Sequence, residues 1–236
     1  MTKSVSIFGA TGSVGQSTLD LIRQHPGQYE IIALTANGNA SQLAALAKEF
    51  SAQVAVVADE SAYEELRQLL AGTKIEAASG PEALIAAAAL GADWTMAAIV
   101  GCAGLPPTLA ALRCGKTVAL ANKEALVSAG ALMITEARKA GATLLPVDSE
   151  HNAIFQALQG GRIDQVRKIT LTASGGPFRT WTREQMANVT PEQAVAHPNW
   201  DMGAKISVDS ATMMRKGLEL MEAHHLVPVG LENIEL

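Results

Sequence analysis

Short β-branched runs alternate with longer Ala- and Leu-rich segments from Ser4 to about Val147, and this alternation constrains the fold more than any other feature. Most of the runs are continuously apolar, as strands are when helices cover both faces of a sheet. Such units form a parallel, doubly wound sheet with right-handed crossovers. The predicted strands are Val5–Phe8, Glu30–Thr35, Gln53–Val57, Lys74–Ala77, Trp94–Val100, Thr117–Ala121 and Ala142–Val147. The predicted helices include Ser17–Arg23, Ser41–Phe50, Pro81–Leu90 and Lys123–Lys139.

The composition narrows the class of protein. The chain has 236 residues, of which 48% are hydrophobic and 17% charged, so a disordered tail, a coiled coil and a collagen-like fibre are excluded. Eighteen basic against 23 acidic residues, without a basic block, argue against nucleic acid as a partner. No apolar run reaches the roughly 18 residues of a membrane span. The two cysteines, Cys102 and Cys114, have no metal-ligand spacing and fit a reduced, cytoplasmic compartment.

The rhythm of the sequence changes after Glu150, where we expect a second domain. A helix-like segment, Asn152–Leu158, precedes a predicted strand, Gln165–Ala173, and a long loop-rich stretch follows. One helix is then predicted from about Ser210 to His225. We therefore divide the chain into a dinucleotide-binding domain at residues 1–149 and part of an α+β catalytic domain at residues 150–236.

A glycine-rich loop joins the first predicted strand to the first helix. Its glycines allow a tight turn and close approach to a pyrophosphate, which meets amide N–H groups at the helix N-terminus. The G-x-x-G-x-x-G spacing is weak in isolation, and its place between strand and helix supports it. The candidate cofactor-binding residues are Gly9, Ala10, Thr11, Gly12, Ser13, Val14 and Gly15.

The segment after the second strand bears on the choice of cofactor. Asn37, Gly38 and Asn39 follow that strand, with no Asp or Glu to hold a ribose 2′-hydroxyl. The absence argues against NAD and leaves room for the 2′-phosphate of NADP. No Arg or Lys stands there either, so the predicted preference for NADPH is modest.

Two carboxylates follow the last strand of the first domain. On an extended chain Asp148 and Glu150 point to the same side, which suits a divalent cation ligated by oxygen, Mg²⁺ or Mn²⁺. The simpler alternative to a metal site is that both carboxylates are solvated at the end of the strand. The helix predicted near Ser210 offers Glu219 and Glu222 as competing candidates for a third ligand, although an amphipathic helix with solvated charges explains both equally well. His151 points to the opposite face of an extended chain, so it is left out of the metal shell.

Several polar residues of the second domain could bind phosphate. Ser174 precedes two glycines, and His197, Ser210 and Lys216 offer further donors. Ser210, Thr212, Lys216 and Glu219 lie near one face of the predicted helix. Each residue alone is more often structural than functional. On the same helix we expect Met213, Met214, Leu218 and Met221 to pack into the hydrophobic core.

Taken together, five segments resemble the 1-deoxy-D-xylulose 5-phosphate reductoisomerase family. They begin at Gly9, Ala121, Leu145, Ser174 and His197 and occur in family order. The resemblance implies NADPH-dependent, divalent-metal-dependent isomerisation and reduction of 1-deoxy-D-xylulose 5-phosphate to 2-C-methyl-D-erythritol 4-phosphate, in non-mevalonate isoprenoid biosynthesis. It implies a phosphorylated ketose substrate and is compatible with a homodimer.

The resemblance also implies roles for individual residues. Asp148, Glu150 and Glu219 match metal ligands, and Lys123 matches a catalytic lysine near metal and substrate. Asn122 and Glu124, beside that lysine, are assigned to cofactor binding. The residues that match substrate contacts are Ser149, Ser174, His197, Trp200, Met202, Ser210, Arg215 and Lys216.

The chain departs from the family pattern at three points. Arg215 stands where the family has Asn, Gly38 stands where a basic residue is common, and family members continue through a C-terminal helical domain. We therefore expect a fragment, and a nucleotide-binding fragment without turnover is the main alternative. A semialdehyde-type dehydrogenase with Cys102 as nucleophile is another, although it explains none of the motifs after residue 145.

Overall fold

Seven parallel strands form one sheet in the order β4-β3-β2-β1-β5-β6-β7. The structure is a computed structural model that describes residues 2–173, 175–196 and 204–236. It divides into two compact units, Met1–Asp148 and Ser149–Leu236, and the sheet belongs to the first. The strands are β1 Lys3–Phe8, β2 Tyr29–Ala36, β3 Val54–Val57, β4 Glu76–Ser79, β5 Trp94–Ala97, β6 Thr117–Leu120 and β7 Thr143–Pro146. All seven predicted strands, and the doubly wound α/β class, are confirmed.

Six helices connect these strands and cover the sheet. Two of them, Gly80–Ala88 and Leu105–Arg113, have proline in the first turn, where no amide hydrogen is needed. The core combines alanines with large side chains such as Leu19, Leu34 and Leu43, which are fully buried. Burial of each leucine contributes roughly 1.5–3 kcal/mol. The helices are α1 Ser13–Arg23, α2 Ala40–Glu49, α3 Tyr63–Leu69, α4 Gly80–Ala88, α5 Leu105–Arg113 and α6 Lys123–Ala140.

The strand order reverses between β1 and β5, which are hydrogen-bonded neighbours. At this point the connections leave the sheet in opposite directions and open a crevice beyond the carboxyl ends of the strands. Phe8, the last residue of β1, pairs with Thr35 of β2 and Ala97 of β5. The loops after these three strands therefore meet at the edge where open α/β sheets bind ligands.

The second unit consists of short elements around a small core. Leu171, Ala223 and Ile234 are buried together, with Ile154 and Leu220 packed against them. Strands β8 and β9 pair in parallel over two residues each. The elements are α7 Ser149–Leu158, β8 Ile169–Thr170, α8 Arg183–Met186, α9 Pro191–Val195, α10 Ala204–Ala211, α11 Met214–Leu226 and β9 Ile234–Glu235.

The structure corrects three expectations for this unit. Helix α7 begins at Ser149, so Glu150 lies in a helical turn and the extended geometry assumed for Asp148 and Glu150 is wrong. The strand expected over Gln165–Ala173 is reduced to β8. The helix expected from Ser210 to His225 is broken at Met213, whose φ of 60° ends one helix before α11 starts. That break prevents Ser210 and Glu219 from sharing one helix face.

None of the helices in the described ranges combines the length and apolar character that a membrane crossing requires.

Candidate functional site

The glycine loop packs tightly against the neighbouring strand connection. Gly9 has a φ of +91°, and a Cβ there would lie 2.7 Å from the carbonyl oxygen of Ala98, just after β5. A Cβ on Gly15 would lie 2.3 Å from the carbonyl oxygen of Gly9. Larger residues would therefore push α1 away from the end of β1. These two glycines are required by close packing, which is the condition for bringing backbone amides to a phosphate group.

The loop leaves the first turn of α1 open for an anion. The Ala10 amide donates to the Thr35 carbonyl at 2.7 Å, and the Gly9 amide donates to Thr35 Oγ1 at 3.0 Å. Gly12 is the N-cap and provides no side-chain cap to the helix. The amides of a helix N-terminus attract negative charge when no side chain occupies them. The Gly12 amide already donates to the Gly9 carbonyl at 3.1 Å, so an anion here would meet the amides of Ser13 and Val14.

The segment after β2 is exposed and lies beside a carboxylate. The Asp59 amide donates to the Asn37 carbonyl at 2.9 Å, and a Cβ at Gly38 would lie 3.5 Å from Asp59 Oδ2. Hydrogen bonds from the Ser61 side chain and backbone lower the pKa of Asp59, so this carboxyl is ionised. The Asn39 side chain caps α2 by accepting from the Gln42 amide at 3.1 Å.

Asn122 is buried and holds two strand connections together. Its amide nitrogen donates to the carbonyl oxygens of Ile99 and Gly101 at 2.6 and 2.8 Å, while Oδ1 accepts from the Ala125 amide at 3.0 Å. The side chain therefore caps α6 and fixes the turn after β5. Glu124 lies half-buried in the first turn of α6.

Lys123 and Asp148 form an ion pair within the first unit. Lys123 opens α6 after β6, and Asp148 follows the neighbouring strand β7. Their side chains are only 13% and 9% exposed, so the pair lies largely out of water. A lysine ammonium held in this way can donate a proton or polarise an oxygen near it.

Two carboxylates of the second unit converge on one lysine. Lys216 Nζ lies 3.2 Å from Glu150 Oε1 and also contacts Glu219 Oε2. The same ammonium donates to the Thr172 carbonyl at 2.5 Å. Lys216 and Glu219 are buried. Buried charges cost several kcal/mol each unless they are paired, and here the lysine ammonium pairs with both carboxylates.

Arg215 occupies the other oxygen of Glu219. Its Nε donates to Glu219 Oε1 at 3.1 Å, one helical turn along α11. The Glu219 carboxylate is fully buried, while Arg215 is 31% exposed. Two cations of the same helix thus neutralise this carboxylate, an arrangement that the sequence analysis did not anticipate.

Ser149 and Ser210 belong to the same unit as this cluster. The Ser149 hydroxyl donates to Glu150 Oε2 at 2.5 Å. Ser210 is buried near the end of α10, and a Cβ at Gly176 would lie 2.7 Å from its carbonyl oxygen. The structure therefore brings Gly176, from the segment that begins at Ser174, close to Ser210. The predicted substrate contacts that lie outside the described residues are Ser174, His197, Trp200 and Met202.

His151 and Glu222 form a buried pair that the sequence analysis did not anticipate. Both are 1% exposed, and His151 Nδ1 lies 3.2 Å from Glu222 Oε2. His151 was left out because an extended chain would turn it away, and the helical start of α7 removes that reason. The spacing of Lys216, Glu219 and Glu222, three residues apart along one helix face, is the signal that could have identified this charged interior.

The fold and the glycine loop define the first unit as a Rossmann-like α/β domain of the dinucleotide-binding type. Sequence comparison then gives the family. The model of 1-deoxy-D-xylulose 5-phosphate reductoisomerase matches residues 5–130, and that of the C-terminal domain of this reductoisomerase matches residues 144–227. The chain belongs to the 1-deoxy-D-xylulose 5-phosphate reductoisomerase family.

Individual relatives are similar over nearly the whole chain. The reductoisomerase of Zymomonas mobilis is 62% identical over 234 residues, 99% of this chain and 60% of the relative. That of Rhodospirillum centenum is 60% identical over 95% of this chain and 56% of the relative. The Z. mobilis structure in complex with NADPH has a TM-score of 0.94 at 60% identity, covering 99% of this chain and 60% of that one. The chain thus spans about 60% of the length of the relatives it matches.

Proposed function

We propose that this chain contributes to the NADPH-dependent, divalent-metal-dependent conversion of 1-deoxy-D-xylulose 5-phosphate to 2-C-methyl-D-erythritol 4-phosphate, a step of isoprenoid biosynthesis. The observation that carries the proposal is the pair of carboxylates, Glu150 and Glu219, on the ammonium of Lys216 inside the second unit. Carboxylate oxygens are the ligands that Mg²⁺ and Mn²⁺ prefer and a lysine ammonium can bind phosphate, so this cluster supplies the groups that both kinds of binding require. The overall reaction rearranges the ketose to an aldehyde, which then takes a hydride from NADPH and a proton.

The cofactor proposed for the first unit is NADPH, which would supply the hydride. The close packing at Gly9 and Gly15 supports a bound pyrophosphate, because a tight turn without Cβ atoms lets the loop backbone approach a phosphate group. We propose that Asn37, Gly38 and Asn39 approach the adenosine 2′-phosphate. Asn122 would contribute indirectly, because its hydrogen bonds to the carbonyl oxygens of Ile99 and Gly101 fix the turn after β5. Glu124 stays a predicted cofactor contact.

The metal proposed for the second unit is Mg²⁺ or Mn²⁺, with Glu150 and Glu219 as ligands, and Asp148 stays a predicted third ligand. The donors are all carboxylate oxygens, the type that these ions prefer. The ammonium of Lys216 already places a cation against Glu150 and Glu219, which supports a cationic occupant there. When bound, a divalent ion would polarise a hydroxyl and a carbonyl oxygen of the substrate. A solved relative contains NADPH, fosmidomycin and magnesium together, with a TM-score of 0.88 at 48% identity, covering 99% of this chain and 60% of that one.

The remaining predicted residues hold the substrate in this proposal. Lys123 would donate a proton to a substrate oxygen, with Asp148 keeping its ammonium charged and oriented. Ser149, Ser210 and Lys216, with Ser174 and His197, would bind substrate hydroxyls and phosphate. Arg215 replaces an amide among these contacts, and Trp200 and Met202 would exclude water. A homodimer and a cytoplasmic location stay predictions.

One assay separates this function from the alternatives. NADPH oxidation is followed with 1-deoxy-D-xylulose 5-phosphate, with and without Mn²⁺, beside direct measurement of cofactor binding. Metal-dependent turnover that is lost in Glu150→Gln supports the proposal. Cofactor binding without turnover supports a nucleotide-binding role alone. NADP-linked oxidation of a semialdehyde that is abolished by Cys102→Ser would instead support the dehydrogenase class.

A further inference from the structure

His151 is a buried imidazole that the proposed reaction does not use. It directly follows Glu150 in the first turn of α7, and its side chain is 1% exposed. Nε2 lies 2.8 Å from the backbone carbonyl oxygen of Glu219, a residue 68 positions further along the chain. A carbonyl oxygen only accepts hydrogen bonds, so Nε2 carries the hydrogen and donates it.

The second nitrogen of the ring contacts the same helix one turn further on. Nδ1 lies 3.2 Å from Glu222 Oε2, and both side chains are almost completely buried. One ring thus contacts the backbone of α11 at Glu219 and a side chain of α11 at Glu222. The Glu222 carboxylate faces the imidazole, whereas the Glu219 carboxylate faces Lys216. The two residues that the sequence analysis treated as competing metal ligands therefore have different partners.

We infer that His151 is a positioning residue that fixes α11 against the first turn of α7 and thereby sets the separation of the Glu150 and Glu219 carboxylates. The inference rests on the proposed function, since it concerns two of the proposed metal ligands. The bond uses the backbone of Glu219 and leaves its carboxylate oxygens available. Lys216 also bridges the two carboxylates, but a divalent cation placed between them would displace its ammonium. The contact through His151 does not depend on those oxygens and persists.

The test measures Mn²⁺ affinity of the 236-residue chain by electron paramagnetic resonance of the unbound ion, below the onset of thermal unfolding. In His151→Gln the amide nitrogen reaches about as far as Nε2 and can donate to the Glu219 carbonyl, whereas in His151→Asn it is too short. We expect His151→Asn to weaken Mn²⁺ binding roughly 10-fold, as loss of an outer partner of a metal site does. His151→Gln should recover most of the affinity. His224→Asn, a change of an exposed histidine on the same helix, is the matched control and should leave it unchanged.

Glu150→Gln serves as the reference for the site itself. If it weakens Mn²⁺ binding while His151→Asn does not, the positioning role is wrong and the metal site stands. If it leaves Mn²⁺ binding unchanged, the metal site is wrong and the inference falls with it. Equal losses in His151→Asn and His151→Gln would also overturn the inference, because they would follow from loss of the ring's packing alone.

Discussion

Arg215 places a cation on a carboxylate that we propose as a metal ligand. Its Nε donates to Glu219 Oε1 at 3.1 Å, so a divalent ion must compete with it. We predict that Arg215→Asn tightens Mn²⁺ binding about fivefold, which corresponds to ~1 kcal/mol for a partly exposed ion pair. Titration of Mn²⁺ checks this, and NADPH affinity should not change.

Arg138→Asn is the matched control for the Arg215 prediction. It removes the same charge from an exposed position on α6, in the first unit. An equal gain in Mn²⁺ affinity in both variants would mean that net charge, and not the contact with Glu219, decides the result.

Gly38 lies where a new cation would meet both the cofactor and Asp59. Its φ is not positive, and a Cβ there makes only ordinary contacts, so Gly38→Lys fits without strain. We predict that NADPH binding tightens about three- to tenfold relative to NADH, because a charge-assisted hydrogen bond to phosphate is worth up to roughly 1.5–3 kcal/mol. Pairing with Asp59 limits the gain, so adding Asp59→Asn should increase it further.

The two dissociation constants of each variant, measured by fluorescence titration, check the Gly38 prediction. Gly160→Lys adds the same charge at an exposed glycine of the second unit with nothing near its Cβ position. A shift in preference in that control, or no shift in Gly38→Lys, would contradict an approach of the cofactor to this loop.

Helix α11 is charged on its buried side and carries methionines on its exposed side. Lys216, Glu219 and Glu222 are buried, whereas Met213, before the helix, and Met214 and Met221 are 43%, 56% and 52% exposed. The expectation that these methionines serve the core was therefore wrong. Periodicity assigns the apolar stripe to the interior, but a set of paired charges can take that place when its members satisfy one another.

Lys216 is the residue on which that charged interior depends. Lys216→Met leaves Glu150 and Glu219 without their shared cation, and we predict a loss of about 3–5 kcal/mol in unfolding free energy without metal. Mn²⁺ should then raise the Tm of the variant more than that of the parent chain, since the ion replaces the lost charge. Thermal unfolding with and without Mn²⁺ measures both effects.

Lys168→Met provides the comparison for Lys216. Lys168 forms an exposed ion pair with Glu235 at 2.7 Å, and such pairs contribute about 0–1 kcal/mol. Two results would contradict a cation shared by Glu150 and Glu219. One is that Lys216→Met destabilises the chain no more than Lys168→Met does. The other is that Mn²⁺ raises the Tm of Lys216→Met no more than that of the parent chain.

Asp93 connects the amino ends of three central strands. Its carboxylate accepts from Ser4 at the start of β1 and from Lys116, just before β6, at 3.0 Å. These contacts lower the pKa of Asp93 from 3.8 to about 2, and the hydrogen bond from Lys116 has the largest effect. Since the folded pKa is the lower one, the stabilisation is complete above about pH 4 and is lost as the pH falls towards 2.

We therefore predict that Asp93→Asn lowers Tm by a few degrees at pH 7 and that the difference from the parent chain shrinks between pH 4 and pH 2. Thermal unfolding across this range checks it. A difference that stays constant with pH would show that the charge of Asp93 contributes nothing and that only its hydrogen-bond geometry matters.

The first unit contains its own sheet, core and glycine loop. We predict that residues 1–148, produced alone, fold cooperatively and bind NADPH within about threefold of the 236-residue chain, because the seven strands and their covering helices lie inside this range. Residues 149–236 alone should be largely unfolded, since a two-stranded sheet and a small core are marginal. Circular dichroism and cofactor titration test both. Failure of the first fragment to fold would contradict the independence of the sheet.

The two units also differ in how far the sequence could predict them. Strands such as Val54–Val57 are buried on both faces, so their apolar runs identify them locally. The second unit is defined by distant contacts: Ile169 pairs with Ile234, and His151 with Glu219 and Glu222. A local pattern carries no information on partners that far away. The same holds for Arg215, whose role depends on the buried carboxylate beside it.

The edges of the sheet have a consequence for how the protein behaves at high concentration. Both edge strands, β4 and β7, have four residues, and β7 ends in Pro146, which has no amide hydrogen to offer a neighbour. Short edges of this kind present few backbone groups to a strand of another molecule, and the proline of β7 removes one donor more. Growth of the sheet from one molecule to the next is thereby disfavoured, and crowded solutions of this unit should resist fibrillar aggregation.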